Sequence, residues 1–391
     1  MCASSPKLRP AKPVRVGARF GEHIMAKLLI LGGTGFTGRL VARHLLDQSG
    51  AEITIAARHA EKARQIVNDL GERHPGRIAA VQADAADPAS LSAALAGHDM
   101  IVVTSPTTAH AAVVARAALE AGADYLDVQL GAKKFAYLKS ISGEIERAGR
   151  CFITEAGFHP GLPSALVRLA ASHLDTIESA ITAGYLGIGT EIPYSEAVDE
   201  LVGLFRDYQA QVFKDGAWTK PGAWQMRRID FGGDLGIKTC YSLFFEELRE
   251  LPALYPSLKD VGFYISESHW VNDMIVAPLA IVMLKIVPNA TRTIGKLLWW
   301  GMMKFRKPPY RTELIVQAAG QHARQPTAFE AAVSHCDAYE LTAIPVVAAL
   351  LQYLDGSARR PGLHIMGHFA EPERLMTDMK RMGVKFRTAT R

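Results

Sequence analysis

Apolar runs alternate with helical stretches over the first 155 residues of the chain. The apolar runs lie near residues 28–31, 53–57, 78–81, 100–104, 125–128 and 151–154. Between these runs, apolar positions recur with the spacing of one helix face, as they do over residues 61–70. Strands that alternate with helices form βαβ units. The pattern therefore predicts an α/β fold in which residues 25–155 make a doubly wound parallel sheet.

The pattern changes after residue 154. Residues 155–164 are rich in glycine and proline, which predicts a turn-rich bridge. Strand-like runs then recur among aromatic loops, near residues 179–186, 262–266 and 312–318. This mixture indicates a second, α+β domain over residues 156–340. Residues 341–391 are expected to be a C-terminal, mainly helical segment that returns to pack on the first domain.

A glycine-rich stretch connects the first strand to the first helix. Gly33, Gly35 and Gly38 give the pattern G-x-G-x-x-G. Glycine lets the backbone turn tightly and approach a pyrophosphate, and the helix N-terminus supplies free N–H groups and a positive dipole end. Because the motif has the required strand–loop–helix context, it predicts a dinucleotide site rather than a turn without a ligand. The residues expected to hold the cofactor here are Gly32, Gly33, Thr34, Gly35, Phe36 and Thr37.

The end of the second strand indicates which dinucleotide binds. An acidic residue there would bind the ribose 2′-hydroxyl of NAD, but this chain has Arg58. A guanidinium can form paired hydrogen bonds with a 2′-phosphate, so the sequence predicts NADP(H). Lys62, one helical turn further on, is expected to assist. Asp84, after the third strand, is expected either beside the adenine or in a turn.

These motifs resemble those of the saccharopine dehydrogenase-like oxidoreductases, a family that includes trans-acting enoyl reductases. The resembling stretches are residues 31–38, 55–58, 98–106 with His110, 154–161 and parts of 361–384. The resemblance implies an NADP-binding Rossmann domain, an inserted α+β domain and a C-terminal segment that returns to the first domain. In relatives that act on saccharopine, an aspartate stands where this chain has His159. An amino-acid substrate of that type is therefore not expected.

Further candidate residues follow the carboxyl ends of the later strands, where open α/β sheets bind ligands. Thr104 and Ser105 are expected to border the ribose and nicotinamide. His159 is the candidate catalytic residue, because a histidine with a pKa near neutrality can give a proton to the anion that hydride addition leaves. A polar loop histidine is the alternative. The candidate substrate-binding residues are Pro106, His110, Gln129, Glu155, Gly157 and Gly161.

Two other motifs do not support a site. Tyr255 and Lys259 have the Tyr-x-x-x-Lys spacing of short-chain reductases, but Pro256 breaks the helix that such a pair needs. His364 and His368 have the spacing of a zinc site on a helix, but nearby glycines and a proline argue for a loop. No metal ion is predicted.

The composition is that of a globular protein. The chain has 391 residues, of which 49% are hydrophobic and 21% charged. Its net charge of +5 is too small and scattered to indicate nucleic-acid binding. Its 4 cysteines lie far apart, so a reducing, cytoplasmic location is expected. Residues 1–24 are basic and have no apolar core, which indicates a disordered tail or an overlong start rather than a secretory signal.

The segment 274–307 combines apolar runs with basic residues. Charged residues interrupt it too often for a membrane span. It is expected to be core or the interface of a homodimer, and the alternative is peripheral membrane contact through residues 297–307. The second domain also carries many large apolar side chains. They suggest a lining for an acyl chain, and the alternative is plain core with a subunit contact: Trp218, Trp224, Phe244, Phe245, Trp270, Trp299, Trp300, Met302 and Met303.

The sequence thus predicts an NADP-dependent oxidoreductase that transfers a hydride between NADP(H) and a small or acyl substrate. One alternative is a trans-acting enoyl reductase that acts on a lipid- or polyketide-like substrate. An alternative of another class is a sensor or scaffold that binds NADP without turnover.

Overall fold

The computed structural model describes most of the chain. The described residues are 26–189, 194, 198–199, 202, 210–220, 225–267, 269–287 and 290–391. The predicted tail of residues 1–24 lies outside them.

The first sheet is parallel throughout. Within the described residues it has seven strands in the order β15-β6-β5-β4-β1-β2-β3. These strands are β1 (Lys27–Leu31), β2 (Glu52–Ala57), β3 (Ile78–Gln82), β4 (Met100–Val103), β5 (Asp124–Asp127), β6 (Cys151–Thr154) and β15 (Gly362–Ile365). The helices between them are α1 (Phe36–Gln48), α2 (Ala60–Gly71), α3 (Pro88–Leu95), α4 (Ala111–Glu120), α5 (Ala132–Ser140) and α6 (Ser142–Arg147). The predicted doubly wound α/β domain is confirmed.

The second sheet is mixed. Its main path in the described part of the chain runs β10-β11-β12-β7-β13-β14-β16. The strands of this sheet are β7 (Thr176–Leu186), β8 (Phe213–Lys214), β9 (Ala217–Trp218), β10 (Met226–Asp230), β11 (Ile237–Leu243), β12 (Asp260–Glu267), β13 (Thr312–His322), β14 (Gln325–His335) and β16 (Lys385–Thr390). Only the β12–β7 pair is parallel among these described neighbours, which confirms the α+β character of the second domain.

The C-terminal segment joins both sheets. Strand β15 pairs with β6 at the edge of the first sheet, which confirms the predicted return to the first domain. Strand β16 instead pairs with β14 and extends the second sheet. The remaining helices are α7 (Leu162–Ser172), α8 (Leu251–Leu254), α9 (Ala277–Ile286), α10 (Thr291–Lys304), α11 (Ala338–Leu354), α12 (Met366–Phe369) and α13 (Pro372–Arg381).

One continuous hydrophobic cluster joins the two sheets. It contains Ile30 of the first sheet and Phe263 of the second, together with Leu166 of α7 and Ile344 of α11, all fully buried. Helix α7 directly follows the bridge after β6, and its buried side chains belong to this shared core. Burial of the core therefore holds the bridge between the two sheets. In the part of the chain that the structure describes, no helix is long and apolar enough to cross a membrane.

Candidate cofactor and active site

Close packing explains the glycines after β1. Gly32 has a φ of +89°, and a Cβ added there would lie 2.6 Å from the backbone nitrogen of Ser105. A Cβ on Gly38 would lie 2.4 Å from the carbonyl oxygen of Gly32. A side chain at either position would therefore push the loop away from the end of β4 or out of its turn.

The same loop leaves the start of α1 open to an anion. Gly35 is the N-cap residue and provides no side-chain hydrogen bond to the first turn. The N–H groups there can accordingly receive a phosphate. Phe36 is exposed, and its ring stacks on Tyr339 at a centroid distance of 5.1 Å. These features fit a dinucleotide pyrophosphate.

The two residues predicted to select NADP(H) and the residue predicted beside the adenine lie at or near the carboxyl ends of β2 and β3. Arg58 is exposed just after β2, and its carbonyl accepts a 3.2 Å hydrogen bond from Gln82. Lys62 is exposed in the first turn of α2. Asp84 accepts a 2.9 Å hydrogen bond from the N–H of Ala86 and so closes a turn. The turn role of Asp84 is confirmed, and its contact with adenine stays a prediction.

Gln129 connects the end of β5 to the loop after β4. Its Nε2 donates to the Ser105 carbonyl at 2.9 Å and to the Thr107 hydroxyl at 3.0 Å. Thr104 donates to the carbonyl of Leu31 at 3.2 Å and so ties this loop to β1. The structure thus brings Thr104, Ser105 and Gln129 together beside the glycine loop.

Two other candidates lie further out on the same loop. Pro106 is exposed, and His110 is partly exposed at the end of the 3₁₀ turn Thr108–His110. His110 makes no side-chain capping bond to α4. Their contacts with a substrate stay a prediction.

A buried ion pair that the sequence did not predict lies beneath these loops. Lys134 of α5 donates to Asp127 Oδ1 at 2.7 Å, to Thr154 Oγ1 at 2.6 Å and to the carbonyl of Gln129 at 2.5 Å. Asp127 Oδ2 accepts from Tyr125 at 2.8 Å and from Thr154 at 2.9 Å. The available signal in the sequence was an aspartate at the end of a short strand, directly before the loop that follows β5. Nothing in the sequence around Lys134 indicated that this helical lysine would be buried.

Glu155 begins the bridge and is almost completely buried. Its backbone has a φ of +57°, and its N–H donates to Asp127 Oδ1 at 3.2 Å. Its Oε2 atom is buried and has no hydrogen-bond partner among the described residues. Burial raises the pKa of Glu155 to about 8, and the charge of Glu247 adds to the rise, while the charge of Lys134 opposes it. Glu155 is therefore mostly protonated at neutral pH.

A second buried carboxyl caps the helix after the bridge. Glu247 accepts hydrogen bonds from the N–H groups of Gly161 at 2.9 Å and Ser164 at 3.0 Å, and from the Ser164 hydroxyl at 2.6 Å. Burial raises the pKa of Glu247 to about 7, although these hydrogen bonds oppose the rise. The N–H of Gly161 is thus already used within the protein. Gly157 is buried as well, and substrate contacts of both glycines stay predictions.

His159 packs among aromatic rings. Its ring centroid lies 4.5 Å from that of Phe158, 5.7 Å from Phe263 and 6.0 Å from Phe245. Its Nε2 atom is buried without a partner in the described part of the chain. Burial lowers the pKa of His159 to about 4. The expected pKa near neutrality is therefore wrong, because apolar surroundings disfavour the imidazolium.

The expected aromatic lining for an acyl chain stays a prediction, and its described members are dispersed. Phe245 belongs to the shared core, and Trp299 packs with Met302 in a separate cluster. Trp270 and Trp300 are exposed. Trp224 lies outside the described residues. The members that the structure describes do not form a single apolar wall.

Comparisons with known proteins agree with this geometry. Residues 28–148 match the family model for the saccharopine dehydrogenase NADP binding domain, which identifies NADP as the cofactor of the first domain. The chain is 36% identical over 104 residues to a trans-acting enoyl reductase of Mycobacterium leprae, covering 26% of this chain and 24% of that protein. It is 23% identical over 268 residues to carboxyaminopropylagmatine dehydrogenase of Synechocystis, covering 64% of this chain and 65% of that protein. It thus spans less than two thirds of either relative.

A solved structure extends the likeness in fold. The apo saccharopine dehydrogenase (L-Glu forming) of Saccharomyces cerevisiae superposes with a TM-score of 0.65 at 14% identity, covering 93% of this chain and 100% of that one. Residues 28–148 are thus similar to the saccharopine dehydrogenase NADP binding domain, and the chain shares its overall fold with a saccharopine dehydrogenase.

Proposed function

We propose that this protein is an NADP-dependent oxidoreductase that transfers a hydride between NADP(H) and a small organic substrate held at the bridge after β6. One observation carries the proposal. An unbroken series of contacts runs from the glycine loop to the bridge: Gly32 packs on Ser105, Ser105 bonds Gln129, and Gln129 and Glu155 both donate to Asp127. A cofactor that crosses these strand ends would place its nicotinamide near Glu155.

The cofactor would be held by the residues already described. The N–H groups at the start of α1 would bind the pyrophosphate, and Arg58 with Lys62 would bind the 2′-phosphate. Bound NADPH supplies the hydride chemistry, while the protein supplies orientation and electrostatics.

Glu155, rather than His159, is the proposed proton donor. A carboxyl with a pKa of about 8 still carries its proton at neutral pH and can give it to an anion that develops on the substrate. His159 is neutral at that pH and lines the same bridge with apolar contacts. The buried Lys134–Asp127 pair positions Glu155, because Asp127 accepts the Glu155 N–H.

We further propose a substrate whose reacting carbon bears nitrogen. The unpartnered, buried oxygen of Glu155 suits an amine, since a carboxyl and an amine can exchange a proton. The Synechocystis dehydrogenase is named for an aminopropylagmatine compound, and its match extends beyond the 121 residues of the cofactor domain to 268 residues. The enoyl reductases match over only 104 residues. Enoyl reduction and binding without turnover remain the two alternatives.

A substrate screen with the full chain tests these alternatives. NADP⁺ reduction is followed with secondary amines, including saccharopine, and NADPH oxidation is followed with enoyl ligands of increasing chain length. Turnover with amines supports the proposal. Affinity that rises with acyl length, by about 0.8 kcal/mol per methylene, would instead favour the enoyl reductase. NADPH binding without turnover on either series would favour the alternative of a sensor or scaffold that binds NADP. The predicted homodimer and cytoplasmic location stay predictions, and sedimentation velocity tests the first.

A further inference from the structure

Helix α9 and the π-helical turn Asn272–Val276 that precedes it present an apolar stripe to solvent. Ile275, Leu279, Val282 and Ile286 follow one another at spacings of four, three and four residues, which places them on one helix face. They are 49%, 51%, 52% and 72% exposed. The opposite face carries Ala277, Ala280 and Leu284, which are buried in a cluster apart from the shared core. The exposed stripe is therefore not needed to hold this helix in place.

Helix α10 adds basic and aromatic side chains. Arg292, Lys296, Trp300 and Lys304 recur every fourth residue and are all exposed. The ring of Phe305 lies 6.0 Å from that of Trp300 and 5.6 Å from that of His269. His269 in turn stacks on the exposed Trp270, at 6.0 Å. Two exposed tryptophans thus belong to one aromatic cluster beside basic side chains.

The C-terminal part of α10 packs against the turn that precedes α9. A Cβ on Gly301 would lie 3.1 Å from Val276 and 3.2 Å from Asn272, so the backbone of α10 closely approaches the turn before α9. Ile275 directly precedes Val276 in the sequence, and Trp300 directly precedes Gly301. The apolar stripe and the aromatic cluster therefore belong to the same helix pair. We call the exposed side chains of this pair the basic-apolar face, and they are Ile275, Leu279, Val282, Ile286, Trp270, Trp300, Arg292, Lys296 and Lys304.

The charge of this region has one sign. Between Asp273 and Glu313 the sequence contains seven basic residues and no acidic residue. Arg311 pairs with Asp234 and Glu313. Among the described residues, no ion pair is formed by Arg292, Lys296, Lys304, Arg306 or Lys307. A second copy of the chain would bring the same positive charge to the face, which opposes self-association there.

We propose that the basic-apolar face binds the surface of a membrane that contains anionic phospholipid. Apolar side chains on one side of a helix insert at the boundary between headgroups and acyl chains, and tryptophan favours that depth. The basic side chains pair with anionic headgroups, at roughly fivefold in partitioning for each Lys or Arg near the surface. This attachment would place the protein beside a membrane without a spanning segment.

Vesicle sedimentation with the full chain tests the proposal. The probes are vesicles of phosphatidylcholine alone and of phosphatidylcholine mixed with phosphatidylglycerol. We expect binding to the mixed vesicles, weakened by salt. Ile286→Glu should reduce it roughly 10-fold or more, and the double variant Lys296→Glu/Lys304→Glu at least roughly 25-fold. The matched controls are Ile237→Glu, at an isoleucine that is also exposed, and Lys380→Glu/Lys385→Glu, and both should bind as the wild type does.

Three results would overturn the proposal. The first is no preference for anionic vesicles, and the second is an equal loss of binding in the controls. The third is a change in oligomeric state. If Ile286→Glu converts a dimer to a monomer in sedimentation velocity without lipid, the face belongs to a second copy of the chain. Thermal melting of each variant tests whether the fold is intact, and we expect unchanged melting temperatures because every substituted residue is exposed.

Discussion

The ammonium nitrogen of Lys134 lies 2.7 Å from Oδ1 of Asp127, and neither side chain is exposed to solvent. Asp127 ends β5 and Lys134 lies in α5, so the pair fixes that helix against the carboxyl end of the sheet. All three ammonium protons of Lys134 have acceptors. The backbone N–H of Glu155 also depends on this carboxylate.

Loss of one partner should be costly, because the other charge would stay buried. Lys134→Met should lower the free energy of unfolding by roughly 3–5 kcal/mol. Urea denaturation measures this change. The control is Glu61→Ala, which removes an exposed pair with Arg64 and should cost no more than about 1 kcal/mol. Equal losses in the two variants would contradict a structural role for the buried pair.

Arg58 should decide between the two cofactors. Arg58→Ala should weaken NADPH binding roughly 10- to 150-fold, because charged hydrogen bonds to the 2′-phosphate contribute about 1.5–3 kcal/mol. NADH affinity should barely change. Fluorescence titration with both cofactors measures the effect, and Arg73→Ala, at an exposed arginine beyond the other end of α2, is the matched control. An equal loss for NADH would refute the assignment.

Gly38 should tolerate no side chain. In Gly38→Ala the new methyl group would lie 2.4 Å from the Gly32 carbonyl and 2.6 Å from Thr104 Oγ1, so the glycine loop must shift. We expect NADPH affinity to fall by more than roughly tenfold. The control is Gly143→Ala, where the nearest atom is the far end of the flexible Arg147 side chain, at 3.4 Å. Unchanged titration of Gly38→Ala would show that the loop does not hold the cofactor.

Local patterns predicted the first sheet well. Its strands are short, apolar and separated by helices with a clear periodicity, and the glycine motif depends on neighbours along the chain. The strand β16 was not predicted, because Lys385–Thr390 alternates weakly and only its pairing with β14 stabilises it. For β15, the sequence predicted only that the C-terminal segment packs on the first domain, and not that it pairs with β6 as a strand.

Long-range contacts explain what was missed at the site. Glu247 lies 86 residues after Gly161 and caps its N–H from the second domain, a relationship that no spacing rule contains. His159 looks like a solvated loop histidine until the rings of Phe245 and Phe263 surround it. Its pKa is set by burial, and burial is a property of the folded chain.

His159 should act by packing rather than as an acid. His159→Phe should keep most of the turnover, whereas loss of a true proton donor costs roughly 10²- to 10⁴-fold. His159→Ala should lower the free energy of unfolding by about 1–3 kcal/mol, since it leaves space among the aromatic rings. Steady-state kinetics and urea denaturation measure the two effects.

The pH dependence gives a second test of His159. The native pKa of about 4 lies below the ordinary 6.5, so the unfolded state binds a proton that the native state refuses. The wild type should accordingly lose stability relative to His159→Phe as pH falls from 6.5 to 4. A gain of stability over that range would show that the imidazolium is stabilised in the fold.

Glu155 should have the opposite dependence on pH. Its native pKa of about 8 lies above the ordinary 4.5, so the native state keeps a proton that the unfolded state releases. Between pH 4.5 and 8 the wild type should therefore lose stability as pH rises, by a few kcal/mol in total. Glu155→Gln carries no titrating proton at this position and should lose less stability over this range. The loss that remains below pH 7 belongs to Glu247, whose native pKa of about 7 is also raised by burial. Glu120→Gln, at an exposed glutamate that ends α4, is the control.

The same proton should govern turnover in the direction of substrate reduction. The rate should fall as pH rises through about 8, because the ionised carboxylate can no longer donate. Glu155→Gln should slow turnover roughly 10²- to 10⁴-fold, leave NADPH affinity unchanged and remove the pH dependence around 8. Single-turnover oxidation of bound NADPH across pH 6 to 10 measures all three. A variant that is slow but keeps the wild-type pH profile would assign the proton to another group, and Glu155 would then only shape the bridge.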